Sequence, residues 1–294
     1  MSITTLAPVP ARFLTWNLLL GGLNNGDDTR LRKQTEVVAG LEPDFVVFTE
    51  CAGWEKGDER LLLRTADALG LTPVLMARSR VSREPKDVIN HTVMMYRQSR
   101  FRLKGRCLLA PQDAHHAIIR GRFQPNAAEF NDQRYDVYVL GTHLGHADGN
   151  KRLSNAKWMT DYAGEFPGCP DQAVALGDFN TPNRVLKDWS RIPQNMHARY
   201  RLVNPDGTFG GVDQRALQIM YQSGWQDPET LTGRPRAATV GYAYDNERVP
   251  WSLDHILVTK AVQVRDYVTL DTEGLRGLSD HLPTMCDVML GANL

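Results

Sequence analysis

Short apolar runs rich in β-branched and aromatic residues punctuate this chain, each long enough for a strand and too short for a buried helix. They fall at residues 13–16, 44–48, 92–96, 135–140, 173–176, 252–258 and 262–270. Helical stretches lie between some of them. Residues 29–41 place Leu31, Val37, Val38 and Leu41 at helical spacing and end before Pro43; 151–163 is a second stretch, and 216–223, closed by Gly224, is a third. Several strands follow one another with no helix between, which predicts a mixed α/β (α+β) fold with partly antiparallel sheets.

The ends of the runs carry the chemistry. Asn17 follows FLTW, Glu50 follows DFVVFT, and His143 follows YDVYVLGT. Asp178 follows QAVALG, with Asn180 two residues on; Asp254 and His255 lie within SLDHILV, and Asp280 and His281 within LSDHLP. One such residue is what any turn supplies, and GDFNTPN by itself reads as an Asx turn. Asp, Glu, His and Asn recurring at strand ends along the whole chain are hard to ascribe to turns. In layered α/β folds, ligand sites gather where strand ends converge. Asp178 and Asn180, two apart, project to one side of an extended segment. Asp254 and His255 project to opposite faces, so the productive pairing is Asp254 with His281, a carboxylate fixing a histidine tautomer and raising its basicity.

Composition removes several function classes. Of 294 residues, 42% are hydrophobic and 23% charged, with 34 Lys+Arg balanced by 34 Asp+Glu, so the chain is not of the disordered type. No uncharged apolar run approaches the roughly 18 residues of a membrane span. The start, MSITTLAPVPARF, lacks the basic and apolar parts of a secretory signal. Cys51, Cys107, Cys169 and Cys286 are too far apart for a structural zinc site and read as free thiols of a cytoplasmic protein. Charge is uneven, however. Arg97, Arg100, Arg102, Lys104 and Arg106 form an acid-free basic segment, preceded by Arg78, Arg80, Arg83 and Lys86. These residues read either as solvated strand ends and a surface loop or as a basic rim beside a phosphate site; such a rim favours a phosphodiester backbone, whereas charge balance favours a small substrate.

Taken together, TWN (15–17), PDFVVFTE (43–50), GTHLGH (141–146), GDFNTP (177–182), SLDHILV (252–258) and SDHLP (279–283) resemble the endonuclease/exonuclease/phosphatase superfamily, the DNase I-like fold. They occur in that family's order. The resemblance implies a four-layer sandwich of two packed mixed β-sheets flanked by helices. It implies a tail at 1–11 and a single domain at 12–290, within which 183–250 is a variable helical and loop region. It also implies metal-dependent hydrolysis of phosphate esters, with Mg2+ or alternatively Mn2+ as cofactor and no obligate protein partner. By position, Glu50 becomes the main metal ligand, supported by Asn17 and Asp280. Asp178 activates water, Asn180 holds a phosphate oxygen, His281 contacts the scissile phosphate under the orientation of Asp254, and His143 contacts phosphate or assists the leaving group. Leu19 stands where many members carry an acid. His146 and Arg152 are candidate extensions of the phosphate site, or an exposed histidine and a solvated arginine. His255 reads as packing or as support for the site. Trp189, His197, Tyr200, Trp225 and Tyr242 line a groove or pack a cap.

Two substrate classes follow. A nuclease or other phosphodiesterase acting on nucleic acid expects Arg100, Arg102, Lys104 and Arg106, which share strand parity, to form one exposed stripe leading to the site. A phosphatase or phosphodiesterase of a small molecule or lipid headgroup expects those side chains to be paired elsewhere and 183–250 to close a pocket. A non-catalytic binding module is a third reading, and the complete motif set argues against it.

Overall fold

The computed structural model describes residues 7–79, 90–110, 117–164 and 166–292. Arg80, Arg83 and Lys86 of the expected basic rim, and residues 1–6 of the expected tail, lie outside the described residues. The strands are β1 (Val9–Asn17), β2 (Phe45–Thr49), β3 (Thr72–Ala77), β4 (Thr92–Tyr96), β5 (Phe101–Leu109), β6 (Ile118–Pro125), β7 (Val137–His143), β8 (Gln172–Asp178), β9 (Arg201–Val203), β10 (Phe209–Val212), β11 (Asp254–Val258), β12 (Gln263–Thr269) and β13 (Thr284–Leu290). The helices are α1 (Thr29–Leu41), α2 (Arg60–Leu69), α3 (Gly149–Thr160), α4 (His197–Tyr200), α5 (Arg215–Gln222), α6 (Pro228–Thr232) and α7 (Glu273–Arg276). None of the described helices is long and apolar enough to cross a membrane.

Two mixed sheets result. One is six-stranded in the order β12-β13-β1-β2-β4-β3; the other is five-stranded in the order β11-β8-β7-β6-β5. Each has one parallel pair, β1 with β2 and β7 with β8, and is otherwise antiparallel. Strand alternation sorts side chains into layers. Phe13, Phe45 and Val47 face Phe123, Val139, Val174 and Leu176 across the gap between the sheets. Phe13 stacks on Phe45 with centroids 4.7 Å apart, and Phe123 meets Phe45 edge-on at 5.0 Å. The intervening residues Leu14, Trp16, Val46 and Phe48 point outward onto Leu31 and Val38 of α1 and Leu62 and Ala66 of α2. On the far side, Ala173 and Ala175 pack under Ala156 and Met159 of α3 and Leu217 and Met220 of α5. The expected four-layer arrangement is therefore present, helices–sheet–sheet–helices.

Two consequences bear on function. Each parallel pair delivers two expected site residues to the same end of its sheet: Asn17 and Glu50 at the ends of β1 and β2, His143 and Asp178 at the ends of β7 and β8. The basic segment also behaves differently from its parity reading. It forms the edge strand β5, and its register with β6 slips between Leu103 and Gly105, a bulge at Lys104. A bulge reverses the facing of everything beyond it, so Arg102 and Arg106 do not share a face.

Candidate active site

The strand ends open into one cavity of about 710 Å³, lined by Glu50, His143, Asp178, Asn180, Asp280 and His281 among others. Asn17 and Asp254 stand immediately behind this lining, each hydrogen-bonded to a lining residue.

Asp178 is the hub. Its place is set by register: β7 puts His143 beside it, and β11 puts Asp254 opposite it. Gly177 precedes it with φ +146, and a Cβ there would sit 1.8 Å from the Thr142 carbonyl oxygen, so only glycine lets β7 and β8 approach this closely at the site. Asp178 Oδ1 accepts from the Asn180 backbone N–H at 2.8 Å. Oδ2 accepts from Asn17 Nδ2 at 3.1 Å and lies 3.5 Å from His143 Nε2 and 4.0 Å from His281 Nε2. Burial, with Asp254 nearby as a second negative charge, raises the Asp178 carboxyl to about 7, against the pull of His281. Asn180 holds a left-handed backbone at φ 48 and donates from Nδ2 to the Leu144 carbonyl at 2.9 Å, which fixes its amide at the cavity edge.

Asp254 is fully buried, and its Oδ2 lies 2.7 Å from His281 Nδ1. Burial works against a charged imidazole, but Asp254 and then Asp178 outweigh it and raise His281 well above the ordinary histidine value. The ring lies between two carboxyl groups, with Nδ1 at Asp254 and Nε2 4.0 Å from Asp178. Its backbone is pinned too: Trp16 Nε1 donates to the His281 carbonyl at 2.8 Å, and Ser279 Oγ to the Asn17 carbonyl at 2.7 Å.

Glu50 sits just past β2 with φ 55, a left-handed conformation that turns its side chain from the strand into the cavity. Its backbone carbonyl accepts from Gly21 N–H at 2.6 Å. Burial and the like charge of Asp280 raise its carboxyl, opposed by His281 and Asn17. Asp280 Oδ2 accepts from the Tyr244 hydroxyl at 3.0 Å. Arg30 of α1 ties the loops carrying these groups together. Its Nη1 donates to the Leu18 and Leu278 carbonyls at 2.7 and 3.0 Å, and its Nη2 to the Leu19 carbonyl at 2.6 Å. Arg30 belongs to no motif, and its spacing in α1 predicts only a helix surface position.

Residues 14–281 match the Endonuclease/Exonuclease/phosphatase family. The chain belongs to this family. Its members are phosphoester hydrolases. Among curated proteins, none matches the chain in sequence. Solved structures share the fold at low identity. An endonuclease/exonuclease/phosphatase family protein from Bacteroides thetaiotaomicron is 18% identical, with 97% of this chain and 99% of that one covered and a TM-score of 0.63. ANGEL2, described as a 2′,3′-cyclic phosphatase and solved with adenosine-2′,3′-vanadate, is 16% identical over 98% of this chain and 97% of its own, with a TM-score of 0.63. The catalytic domain of human Nocturnin, solved with a bound sulfate, is 17% identical over 96% and 93%, with a TM-score of 0.61.

Within this endonuclease/exonuclease/phosphatase scaffold the rest of the cavity comes from 183–250 and its flanks. Ile192, Met196, Arg199, Tyr200, Tyr244, Glu247 and Trp251 all line it. Trp251 and Tyr200 pack with centroids 5.0 Å apart, and Trp189 closes on Trp251 from behind. Trp225 instead packs under α3 and α5, while Tyr242 donates to the Ser279 carbonyl at 2.7 Å. His146 lines the cavity; Arg152 does not. Far from being solvated, Arg152 is 1% exposed and donates to the Gly145, His146 and Arg199 carbonyls. His255 faces away, its ring within 3.0 Å of the Thr181 carbonyl and 2.9 Å of Arg236, and burial and Arg236 lower it to about 4.

The basic segment spends its charge internally. Arg97 and Arg100 both pair with buried Asp44. Arg102 donates to the carbonyls of Pro125, Asn126 and Ala128. Lys104 pairs with buried Asp136, and Arg106 reaches the Val74 carbonyl on β3. None of these residues lines the cavity.

Proposed function

We propose that this protein is a divalent-metal-dependent hydrolase of a small phosphate ester, with Asp178 as the base for the attacking water. The observation that carries this reading is the convergence of Glu50, Asp280, Asp178 and His281 on one cavity that residues of 183–251 also line. A nucleic-acid substrate finds less support, because none of Arg97, Arg100, Arg102, Lys104 and Arg106 lines the cavity. The single-domain reading of 12–290 accords with packed layers drawn from both ends of the chain, since β13 is hydrogen-bonded to β1.

The donor set suits a hard divalent cation. Glu50 and Asp280 offer carboxylate oxygens and Asn17 an amide oxygen, the ligand type Mg2+ and Mn2+ accept. Burial first and the nearby charge of Asp280 second raise the Glu50 carboxyl, and a bound cation would offset both. Among the described residues, the tightest cluster of ligand-type atoms is a different one: Asp178, Asp254 and His281, within 4.8 Å of one another. There the two acids favour the charged form of His281 held between them, and we assign that cluster to proton transfer. When bound at Glu50, a divalent cation would polarise a phosphoryl oxygen and stabilise the charge that develops on it.

The chain's own residues supply the rest. Asn17 Nδ2 and the Asn180 N–H hold the Asp178 carboxylate in one orientation. Asp178 Oδ2 takes a proton from a water whose oxygen forms the new bond to phosphorus. The bond from phosphorus to the ester oxygen breaks, and that oxygen leaves with a proton supplied from the His143 side of the cavity. His281, kept charged by Asp254, donates from Nε2 to a phosphoryl oxygen. An activity panel tests this: small phosphomonoesters, a generic phosphodiester, DNA and RNA, each with Mg2+ or Mn2+, each with chelator, and each with Asp178→Asn. Metal-dependent turnover of a small ester, lost in Asp178→Asn, is the expected result. Turnover of polymeric nucleic acid alone would overturn the small-substrate reading, and no metal-dependent turnover would overturn the enzyme reading.

A further inference from the structure

Arg199 is the one lysine or arginine among the described residues that line the cavity. It sits on α4, away from the strand ends, and its backbone is fixed from both sides. Buried Arg152 donates to the Arg199 carbonyl at 2.7 Å, and the next carbonyl, of Tyr200, accepts from Asp213 N–H at 2.7 Å. Its side chain is barely engaged. The nearest acid is Glu247, with Nη1 to Oε1 at 3.9 Å, beyond hydrogen-bond distance, and the side chain is 37% exposed. Glu247 Oε1 is already taken at 2.9 Å by the Tyr200 hydroxyl. The guanidinium thus makes no hydrogen bond among the described residues, and the acids that line the cavity with it are Glu50, Asp178, Glu247 and Asp280. A guanidinium presents several fixed N–H donors that match a carboxylate or phosphate face bidentately.

We propose that Arg199 binds a second anionic group of the substrate, so that the natural ester carries another phosphate or a carboxylate on the side that leaves. This rests on the hydrolase reading above and deepens it. Arg199 and Glu50 line the same cavity, so one bound molecule can meet both. Ile192, Met196 and Trp251 line the wall and offer no charge, leaving Arg199 to set which end of an asymmetric molecule faces away from Asp178.

The test measures binding without turnover. Asp178→Asn protein, alone and combined with Arg199→Ala or Arg199→Lys, is titrated calorimetrically with matched pairs: a sugar bisphosphate against its monophosphate, and phosphoglycerate against glycerol phosphate. The first pair adds a phosphate and the second a carboxylate, so the pair that responds identifies the second anion. With Arg199 present, at least one doubly anionic member binds roughly 10- to 100-fold tighter than its partner, the range of a charged hydrogen-bonded contact. Arg199→Ala abolishes that preference and leaves the singly anionic affinity unchanged, and Arg199→Lys keeps part of it. No preference in either pair with Arg199 present, or a preference that survives Arg199→Ala, overturns the proposal. Parallel turnover by the unmodified protein separates the two readings: preferential binding without metal-dependent hydrolysis of any ester sinks the hydrolase reading and leaves the Arg199 assignment standing.

Discussion

The two walls of the cavity are built by opposite means. On one, Asn17, His143, Asp178 and Asp254 belong to strands, with Glu50, Asn180, Asp280 and His281 on the adjoining loops, and ladder register brings Asp178 beside both His143 and Asp254. On the other, Arg199 and Tyr200 sit on a four-residue helix, and Glu247 and Trp251 on loops, held by contacts such as Arg152 to the Arg199 carbonyl. A strand-borne group cannot move without breaking sheet hydrogen bonds on both sides. A loop-borne group can be replaced with little cost to the fold. On the proposed reading, reaction chemistry belongs to the strand-end wall and substrate choice to the other.

The largest effect therefore belongs to the strand-end wall. Asp178→Asn keeps the shape and one of the two accepted hydrogen bonds but removes the proposed base, so kcat falls roughly 10²- to 10⁴-fold while substrate affinity changes little. Steady-state kinetics beside calorimetric affinity check this. A loss confined to affinity would erase the division between the walls. Next is Glu50→Gln, which should raise the divalent cation concentration needed for half-maximal activity by at least roughly 10-fold, since even groups outside the ligand shell cost about that much. Cation-dependent thermal stabilisation gives a second readout. Unchanged cation dependence in both would move the metal away from Glu50.

A smaller effect sharpens the comparison within one wall. The base form of Asp178 exists above about 7 and the acid form of His281 below a value well above 6.5, so kcat/KM should rise through pH 7 and fall again at higher pH. The groups interact, so these limbs belong to the pair. Asp254→Asn removes the largest charge that keeps His281 protonated. The falling limb should move to lower pH while the rising limb, which Asp254 raises through Asp178, also moves down. A pH profile in which only the height changes would show that Asp254 merely packs.

How much of this was legible depends on which wall is considered. Every strand-end residue lies in a short string at the end of an apolar run, so the runs locate the site before any contact is known. Residues 92–96 and 29–41 coincide with β4 and α1. The β5–β6 hairpin escapes the same reading because β5 carries Arg102, Lys104 and Arg106 on a bulged edge, where alternation fails. Strand β3 is interrupted by Pro73 at its own register slip. Arg30 and Arg199 are illegible for another reason. Their roles consist of reaching carbonyls or a cavity contributed by segments far away in sequence, and nothing in their neighbours along the chain encodes that. The same holds for Arg152, whose helical position suggests solvent while its guanidinium is buried under carbonyls.

The smallest expected effect is the most direct contest between the two walls and the basic edge. Arg102 and Arg106 lie on β5, at the far edge of its sheet from β11, and their guanidiniums are satisfied by carbonyl oxygens. Carbonyl oxygens leave the guanidinium charge intact, but neither residue lines the cavity, so neither meets a small ester bound there. Arg102→Gln with Arg106→Gln should therefore alter turnover of a small ester by less than about twofold and leave its salt dependence unchanged, with the cost appearing in thermal stability, at roughly 1 kcal/mol per lost hydrogen-bonded position. Arg199→Ala, a single change on the other wall, should alter the salt dependence more than both of those together, because its guanidinium meets the ligand directly. Activity measured at low and physiological salt for the three proteins decides between them. A flattened salt slope from the β5 pair, with none from Arg199, would restore the basic edge as the substrate face and return nucleic acid to the front of the candidate list.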